Sequence, residues 1–141
     1  MEGLTVKDLK IGDRDFFQKT ITETDVYLYS GITGDLNPAH INQVEAEKGM
    51  FKGRIAHGML TAGLVSTVLG MKIPGPGTIY LGQDLKFVAP VKFGDTIKAE
   101  AEVIEINEEK NLISLKTTCT NQDGKVVLTG VAKVMPPKQK H

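Results

Sequence analysis

Apolar and polar positions alternate through the second half of the chain, a pattern that predicts β-strands. Within residues 79–87 the alternate positions are apolar except for Gln83, and the alternation returns in residues 97–103, 113–119 and 126–134. Successive side chains of a strand point to opposite faces, so each segment offers one face to a core. Residues 108–111 and 122–124 have turn composition, the latter with the Asp-Gly pair of tight hairpins. We therefore predict an antiparallel meander.

Residues 55–69 show a different pattern, which predicts a buried helix. Apolar side chains occur all around the helical wheel, and no charged residue follows Arg54 in this segment. A helix that is apolar on every side is normally buried. Gly63, Ser66 and Gly70 leave little bulk along it, as expected where a sheet packs closely. We therefore predict an α+β fold in which a curved antiparallel sheet wraps around one long central helix.

Shorter elements precede the central helix. Residues 16–21 alternate like a short strand. Thr22 followed by Asp25 resembles a capping box, so we predict a short helix that starts there and that Gly31 and Gly34 bring to an end.

Residues 42–53 are polar and mixed, with Ala46 and Phe51 as apolar anchors, and we interpret them as a partly helical loop that forms a lid. Residues 136–141 have the composition of a disordered tail.

The composition is that of one ordinary domain. A chain of 141 residues with 40% hydrophobic residues can bury a real core, which we place at about residues 16–135 of a single domain over residues 1–141. Lys plus Arg and Asp plus Glu number 17 each, so no net field attracts nucleic acid or an anionic membrane.

The single cysteine excludes an internal disulfide, and the first residues lack the basic-then-apolar order of a signal peptide. No apolar run approaches the roughly 18 residues that cross a bilayer. We therefore expect a soluble protein in the reducing cytoplasm.

The segment from Asp35 to His40 is the best candidate for chemistry. It sets a carboxylate and an imidazole five residues apart across an Asn-Pro turn. Pro38 fixes its own backbone and disfavours the helical region for Asn37, so a preceding helix must end before the turn. A helix end followed by a tight turn lets both side chains point into one cleft. We predict an Asp35–His40 dyad, although an Asp-x-Asn-Pro segment by itself more often only caps a turn.

Three other features have structural interpretations. His57 precedes Gly58 at a helix start, and we expect it to orient the loop or to cap backbone groups rather than to join the dyad. Cys119 shares a strand face with apolar residues, which favours a buried core thiol over a nucleophile. The histidines, His40, His57 and His141, show no paired ligand spacing, so we expect no metal site.

Several separated motifs, agreeing in order and spacing over about residues 17–134, resemble those of the MaoC-like hot dog family. They are Asp35-x-Asn37-Pro38-x-His40, Ile55-Ala56-His57-Gly58-Met59, Tyr80-Leu81-Gly82-Gln83 and Phe87-x-x-Pro90-Val91. Within the family the chain is most similar to the (R)-specific enoyl-CoA hydratases. The resemblance implies the hot dog fold and a homodimer whose two sheets join edge to edge.

The resemblance also implies an activity, the reversible and stereospecific addition of water to a trans-2-enoyl thioester of coenzyme A. No cofactor is expected, because coenzyme A is part of the acyl-CoA substrate. Asp35 and His40 would together activate one water, with the division of acid and base roles left open. The backbone amide of Gly58 matches the family's donor to the thioester oxygen, and a helix N-terminus suits that role.

Ser66 and Leu69 match positions that line the acyl pocket in the relatives, with core packing as the alternative for both. Lysines and Arg54 near the site are candidates for the phosphates of coenzyme A, but scattered lysines usually form a solvated face, and we assign none. The chain departs from the family at Asn42, where an Asp is common. That change puts a supporting contact in doubt, because the amide of Asn can make the hydrogen bond of an Asp but lacks its charge.

Two other functional classes stay open. A hot dog thioesterase would hydrolyse the acyl-CoA, although its carboxylate would be expected elsewhere in the chain. A module that binds acyl-CoA without turnover is the other alternative, since a fold does not establish an activity.

Overall fold

Six antiparallel strands and four helices form the structure, a computed structural model that describes residues 2–138. The last three residues of the predicted disordered tail, 139–141, lie outside the described part. The strands are β1 (Arg14–Thr20), β2 (Ile79–Gln83), β3 (Lys86–Phe87), β4 (Thr96–Asn107), β5 (Leu112–Thr120) and β6 (Val126–Met135). The helices are α1 (Glu23–Thr33), α2 (Pro38–Ile41), α3 (Gln43–Glu47) and α4 (Gly58–Met71).

The sheet has the strand order β1-β4-β5-β6-β2, with β3 also paired to β6. Every pair is antiparallel. Strands β4, β5 and β6 follow one another through the two predicted turns, and Gly124 in the second turn has a φ of 77°, a conformation that glycine adopts without strain. The predicted meander is confirmed.

The core lies between the sheet and α4. On β4, burial alternates residue by residue, and Ile97, Ala99, Ala101 and Val103 are all fully buried. These positions share one face of the strand. Val65 and Val68 on α4 are buried in the same cluster. The predicted packing of a sheet around one long helix is confirmed. No helix within residues 2–138 is both long and apolar enough to span a bilayer.

The prediction that α4 is buried on every side is wrong for the chain as described. Met59 and Met71 are each 54% exposed, and Gly63 and Ser66 are also exposed. The sheet covers only one side of α4. The exposed side carries small residues and methionines rather than charges, which is why the pattern looked apolar all round. α4 also starts at Gly58, three residues later than the apolar segment.

The alternating segment over residues 79–87 is not one strand. It is divided into β2 and β3 at Asp84, whose backbone N–H donates to the Val131 carbonyl while its carboxylate accepts from the Val131 N–H, each at 3.1 Å. The Asp84 carbonyl lies so close to Gly130 that a Cβ there would be 2.0 Å from it. This local contact interrupts the strand, and an alternation pattern contains no sign of it.

Candidate active site

Helix α1 brings the chain to the site and ends where the sequence predicts. The Thr22 hydroxyl accepts from the Asp25 N–H and the Asp25 carboxylate accepts from the Thr22 N–H, which completes the predicted capping box. Gly34 ends the helix in the left-handed conformation, with φ at 81°. Gly31 lies inside the helix and does not end it.

The turn after α1 is built from side chain to backbone hydrogen bonds. The Asp35 carboxylate accepts from the Asn37 N–H at 3.2 Å, and the Asn37 side chain accepts from the Ala39 N–H at 2.9 Å. Pro38 is the first residue of α2, where its missing N–H costs nothing. These bonds set the turn directly before α2, and His40 lies on that helix.

Asp35 and His40 converge as predicted. A carboxylate oxygen of Asp35 and one ring nitrogen each of His40 and His57 all lie within 4.8 Å of one another. A water that hydrogen-bonds to two groups at about 2.8 Å each can bridge such a distance. Asp35 is exposed in the single chain and His40 is half-buried.

The ring of His40 is held by the segment that leads into α4. Its Nδ1 lies 2.7 Å from the Ile55 carbonyl oxygen. A carbonyl only accepts, so Nδ1 carries a proton and donates. The other nitrogen, Nε2, is left for exchange with a bound water, which is the arrangement that a proton-transfer group needs.

His57 lies closer to the dyad than the sequence suggests. It is the N-cap residue of α4 but makes no side-chain capping bond to that helix. Its Nε2 instead lies 3.1 Å from the Asp35 carbonyl oxygen and 3.1 Å from the Ser30 hydroxyl. The alternative prediction, that His57 orients the loop, agrees with these contacts.

Gly58 is the first residue of α4, and its N–H points out of the helix end. Within residues 2–138 no acceptor pairs with this N–H. A Cβ at Gly58 would lie 2.7 Å from two ring carbons of Phe87, closer than packed carbons approach. A side chain at position 58 would therefore require the Phe87 ring to shift. With glycine there, the helix end is left as a free donor beside the dyad.

A cavity of about 450 Å³ opens from these groups. Its polar end contains Asp35, His40 and His57, and Gly58 also lines it. The rest is largely apolar and includes Phe51, Met59, Phe87, Val88, Val127 and Leu128. Phe51 was predicted as an anchor of the 42–53 loop, but it is 40% exposed and faces this cavity, whereas Ala46 is buried as predicted.

Comparison with known proteins decides the family. A profile of the MaoC like domain matches residues 12–124. The chain belongs to the MaoC-like family. It is 50% identical over 131 residues to an (R)-specific enoyl-CoA hydratase of Rhodospirillum rubrum, covering 93% of this chain and 90% of that protein. It is 43% identical to a 3-hydroxybutyryl-CoA dehydratase of Methylorubrum extorquens, covering 96% and 86% respectively.

Solved structures of the family agree. An unliganded R-hydratase of Pseudomonas aeruginosa superposes with a TM-score of 0.92 at 42% identity, covering 97% of this chain and 88% of that one. The (R)-hydratase of A. caviae involved in PHA biosynthesis gives 0.90 at 37% identity, covering 93% and 99%. The predicted hot dog fold is confirmed.

In this MaoC-like chain the structure does not bring Ser66 and Leu69 into the cavity. Ser66 is on the exposed side of α4, and Leu69 is 1% exposed in the core cluster. The core alternative therefore describes Leu69 in the single chain. A role for either residue in binding the acyl group stays a prediction.

The MaoC-like site is spaced like a metal site but not oriented like one. Asp35, His40 and His57 are close enough to share an ion, a convergence that histidine spacing in the sequence did not predict. However, the two imidazole rings are stacked, with centroids 3.8 Å apart and planes at 25°. A metal ion lies near the plane of each ring that binds it, at about 2.0–2.1 Å from the nitrogen. Nearly parallel stacked rings do not direct their lone pairs at one point.

Arg54 fastens the 42–53 loop of this MaoC-like chain to α1. Its guanidinium donates to Gln43 at 2.9 Å, to Glu23 at 3.1 Å and to the Tyr27 hydroxyl at 2.6 Å. Hydrogen bonds from Tyr27 and Arg54 lower the pKa of the Glu23 carboxyl. Because the Arg54 side chain is 17% exposed and engaged in these contacts, it is a poor candidate for the phosphates of coenzyme A.

The departure from the family pattern at Asn42 has a local explanation. Its side chain accepts from the Glu45 N–H at 3.1 Å and caps α3. Asn and Asp are both good N-cap residues. The hydrogen bond is therefore kept with the amide, and only the charge differs.

Proposed function

We propose that this protein is an enoyl-CoA hydratase that adds water reversibly to trans-2-enoyl-CoA and forms (R)-3-hydroxyacyl-CoA. The observation that carries the proposal is the convergence of the Asp35 carboxylate and a His40 ring nitrogen within 4.8 Å at the polar end of an apolar cavity. The names of the relatives from Rhodospirillum rubrum and Methylorubrum extorquens describe the two directions of such a reaction.

In the proposed mechanism Asp35 and His40 hold one water between them. The water oxygen bonds to the β-carbon of the enoyl group as the dyad takes one of its protons, and a proton is delivered to the α-carbon on the same face. Hydration thus consumes the double bond and one water and leaves the dyad as it began. Proton transfer by positioned groups typically contributes about 10²–10⁴-fold each.

Negative charge builds on the thioester oxygen as the β-carbon is attacked. In the proposal the Gly58 N–H donates to that oxygen. Its position at the N-terminus of α4 supports this role, because the positive end of the helix dipole favours a developing anion. Loss of one such donor costs roughly 2.7–4 kcal/mol in well-studied enzymes.

The substrate we propose is an acyl-CoA whose acyl chain enters the apolar cavity, and the reaction requires no cofactor or metal. Ser66 and Leu69 remain candidates for limiting the length of that chain. Coenzyme A itself enters as part of the substrate.

We further propose a homodimer in the cytoplasm. The apolar side chains of the β2 edge support the dimer, since Ile79 is 56% exposed and Leu81 is 49% exposed. A single buried cysteine suits a reducing compartment.

The test is to mix the purified protein with crotonyl-CoA, follow loss of the conjugated double bond and determine the configuration of the product. The proposal expects (R)-3-hydroxybutyryl-CoA without release of free thiol. Release of thiol from a saturated acyl-CoA would favour the thioesterase alternative. Binding of crotonyl-CoA without turnover would favour the non-catalytic module, and (S)-product would contradict the assigned stereochemistry.

A further inference from the structure

His57 contacts both members of the dyad, although it is not itself a member. The residue is 2% exposed. Its Nε2 lies 3.1 Å from the Asp35 carbonyl oxygen, and because a carbonyl only accepts, Nε2 carries the proton and donates. Its Nδ1 is buried and has no hydrogen-bond partner within residues 2–138. A buried polar atom without a hydrogen-bond partner costs free energy, so packing alone does not explain why a histidine occupies this position.

The ring of His57 also touches His40. The two imidazoles stack with their ring centroids 3.8 Å apart. The ring of His57 also makes a tilted contact with the ring of Tyr29, with centroids 4.6 Å apart. His57 therefore contacts the backbone of the carboxylate residue and the ring of the imidazole residue at the same time.

Three of the four consecutive residues 55–58 thus supply backbone or ring groups to the site. The Ile55 carbonyl accepts from His40, the His57 ring donates to the Asp35 carbonyl, and Gly58 presents its N–H at the start of α4. Asp35 itself lies in the exposed turn between α1 and the four-residue α2, where its other hydrogen bonds are to Thr33 and Asn37 of the same turn.

We propose that His57 is a positioning residue, whose Nε2–H bond to the Asp35 carbonyl sets the distance between the dyad and the Gly58 amide. This role rests on the proposed hydratase function and adds a residue to it. If the bond is lost, Asp35 shifts relative to the helix end while the apolar cavity that binds the acyl group is unchanged. A shift of about 1 Å in a reacting group can cost about 10²-fold in rate. The loss is therefore in kcat, with KM little changed.

The test compares His57→Gln with His57→Met. The two side chains have nearly the same length and shape, and both remove the ring and its stacking, but only glutamine has an N–H to donate. The proposal expects His57→Met to lose about 10²-fold in kcat for crotonyl-CoA with KM within about threefold of the parent, and His57→Gln to recover at least about tenfold of that loss.

Ser30→Ala is the matched control. The Ser30 hydroxyl contacts the same nitrogen at 3.1 Å and is equally buried, but it does not link His57 to the dyad. The proposal expects a near-parental kcat for this variant, even if its melting temperature falls.

Several results would overturn the positioning role. Equal kcat values for the Gln and Met variants would show that the donor does not matter, and a loss in Ser30→Ala as large as in His57→Met would assign the effect to the buried polar cluster in general. If His57→Met does not fold, ¹⁵N NMR of the parent decides, since a His57 ring without a proton on Nε2 would exclude the bond. A parent protein that does not hydrate crotonyl-CoA would instead contradict the proposed function.

Discussion

The position of Asp35 is determined by three hydrogen bonds that come from two parts of the chain. Its N–H donates to the Thr33 hydroxyl and its carboxylate accepts from the Asn37 N–H, each at 3.2 Å, and these contacts are local. The bond from His57 to its carbonyl spans 22 residues of sequence. The first two shape the turn, and the third places the turn against the start of α4.

At Gly58 a single methyl group is expected to disturb the site. Gly58→Ala places a Cβ 2.7 Å from the Phe87 ring, which is 52% exposed and can move only by leaving its place beside the helix end. Because the ring is exposed, we expect the free energy of unfolding to fall by less than the about 1–3 kcal/mol that overpacking costs in a closed core, together with a fall in kcat/KM. Denaturant unfolding and the hydration assay measure the two effects.

Gly31→Ala is the control for that variant. Gly31 lies inside α1, and a Cβ there would meet nothing within 4 Å. Alanine is favoured over glycine inside a helix by roughly 0.5–1 kcal/mol, so this variant should be slightly more stable. Equal effects of the two substitutions would contradict the importance of the contact between Gly58 and Phe87.

Cys119 is expected to stay protonated in the folded protein at alkaline pH. Burial raises the pKa of its thiol from 9.0 to about 12. Above about pH 9 the unfolded chain loses this proton while the folded chain keeps it, so folding stability falls as pH rises, by at most about 1.4 kcal/mol per pH unit. Between about pH 9 and about pH 11 the parent should lose stability relative to Cys119→Ala. Parallel pH curves for the two proteins would contradict this.

Local residues of the site were predictable and distant ones were not. The spacing of Asp35, Pro38 and His40 contains the turn that brings the dyad together, because the physics of the turn acts within six residues. The place of His57 depends on how α4 packs against the end of α1, and nothing in the residues around His57 reports that packing. Ser66 and Leu69 were assigned to the acyl pocket by resemblance alone, and the single chain does not place them there.

At the scale of elements, the capping box of α1 gives a direct stability prediction. Thr22→Ala removes the oxygen that accepts from the Asp25 N–H at 3.1 Å. Loss of such a cap costs typically about 1 kcal/mol, in a range of roughly 0.5–2 kcal/mol. Because Thr22 caps the N-terminal end of α1 and the Asp35 turn follows its C-terminal end, the hydration rate should remain near that of the parent while thermal unfolding shifts to lower temperature.

Thr24→Ala is the comparison for the cap. Thr24 is exposed in the first turn of the same helix and takes no part in the hydrogen bonds of the capping box. A destabilisation by Thr24→Ala equal to that by Thr22→Ala would show that the cap does not account for the effect.

The elements that were predicted correctly are those whose sequence pattern follows directly from the geometry of the element itself. The meander of β4, β5 and β6 follows from alternation and turn residues, and the end of α1 from Gly34. The break between β2 and β3 depends on the Asp84 backbone approaching Gly130, which lies 46 residues away. The exposed side of α4 depends on how far the sheet extends around it. The break and the exposed side both depend on residues far away in the sequence, so the local pattern of apolar and polar residues does not show them.

For the whole molecule, the exposed apolar edge of the sheet is the feature that bears on assembly. β2 is the last strand of the sheet order, with its outer edge unpaired within residues 2–138. Unpaired strand edges readily bind another strand, and proteins normally protect them with charges or cover them. Here the edge carries Ile79 and Leu81, so the proposed dimer would cover it.

Sedimentation tests this assembly. We expect the protein to have about twice the 15.3 kDa mass of one chain, and Leu81→Lys to shift it towards the single-chain mass by placing a charge on the covered edge. Ile11→Lys, at a position that is 63% exposed and lies before β1, should leave the mass unchanged. A monomeric parent, or a Leu81→Lys variant that remains dimeric, would contradict the proposed interface.

The central claim is that the Asp35 carboxylate takes part in activating the water that is added. The most direct measurement is the rate of crotonyl-CoA hydration by Asp35→Asn, with folding checked by circular dichroism and with Asp123→Asn, in the exposed β5–β6 turn, as the matched change. We predict that Asp35→Asn lowers the rate by at least about 10²-fold and that Asp123→Asn leaves it near the parental value. A folded Asp35→Asn protein that hydrates crotonyl-CoA at the parental rate would contradict the account.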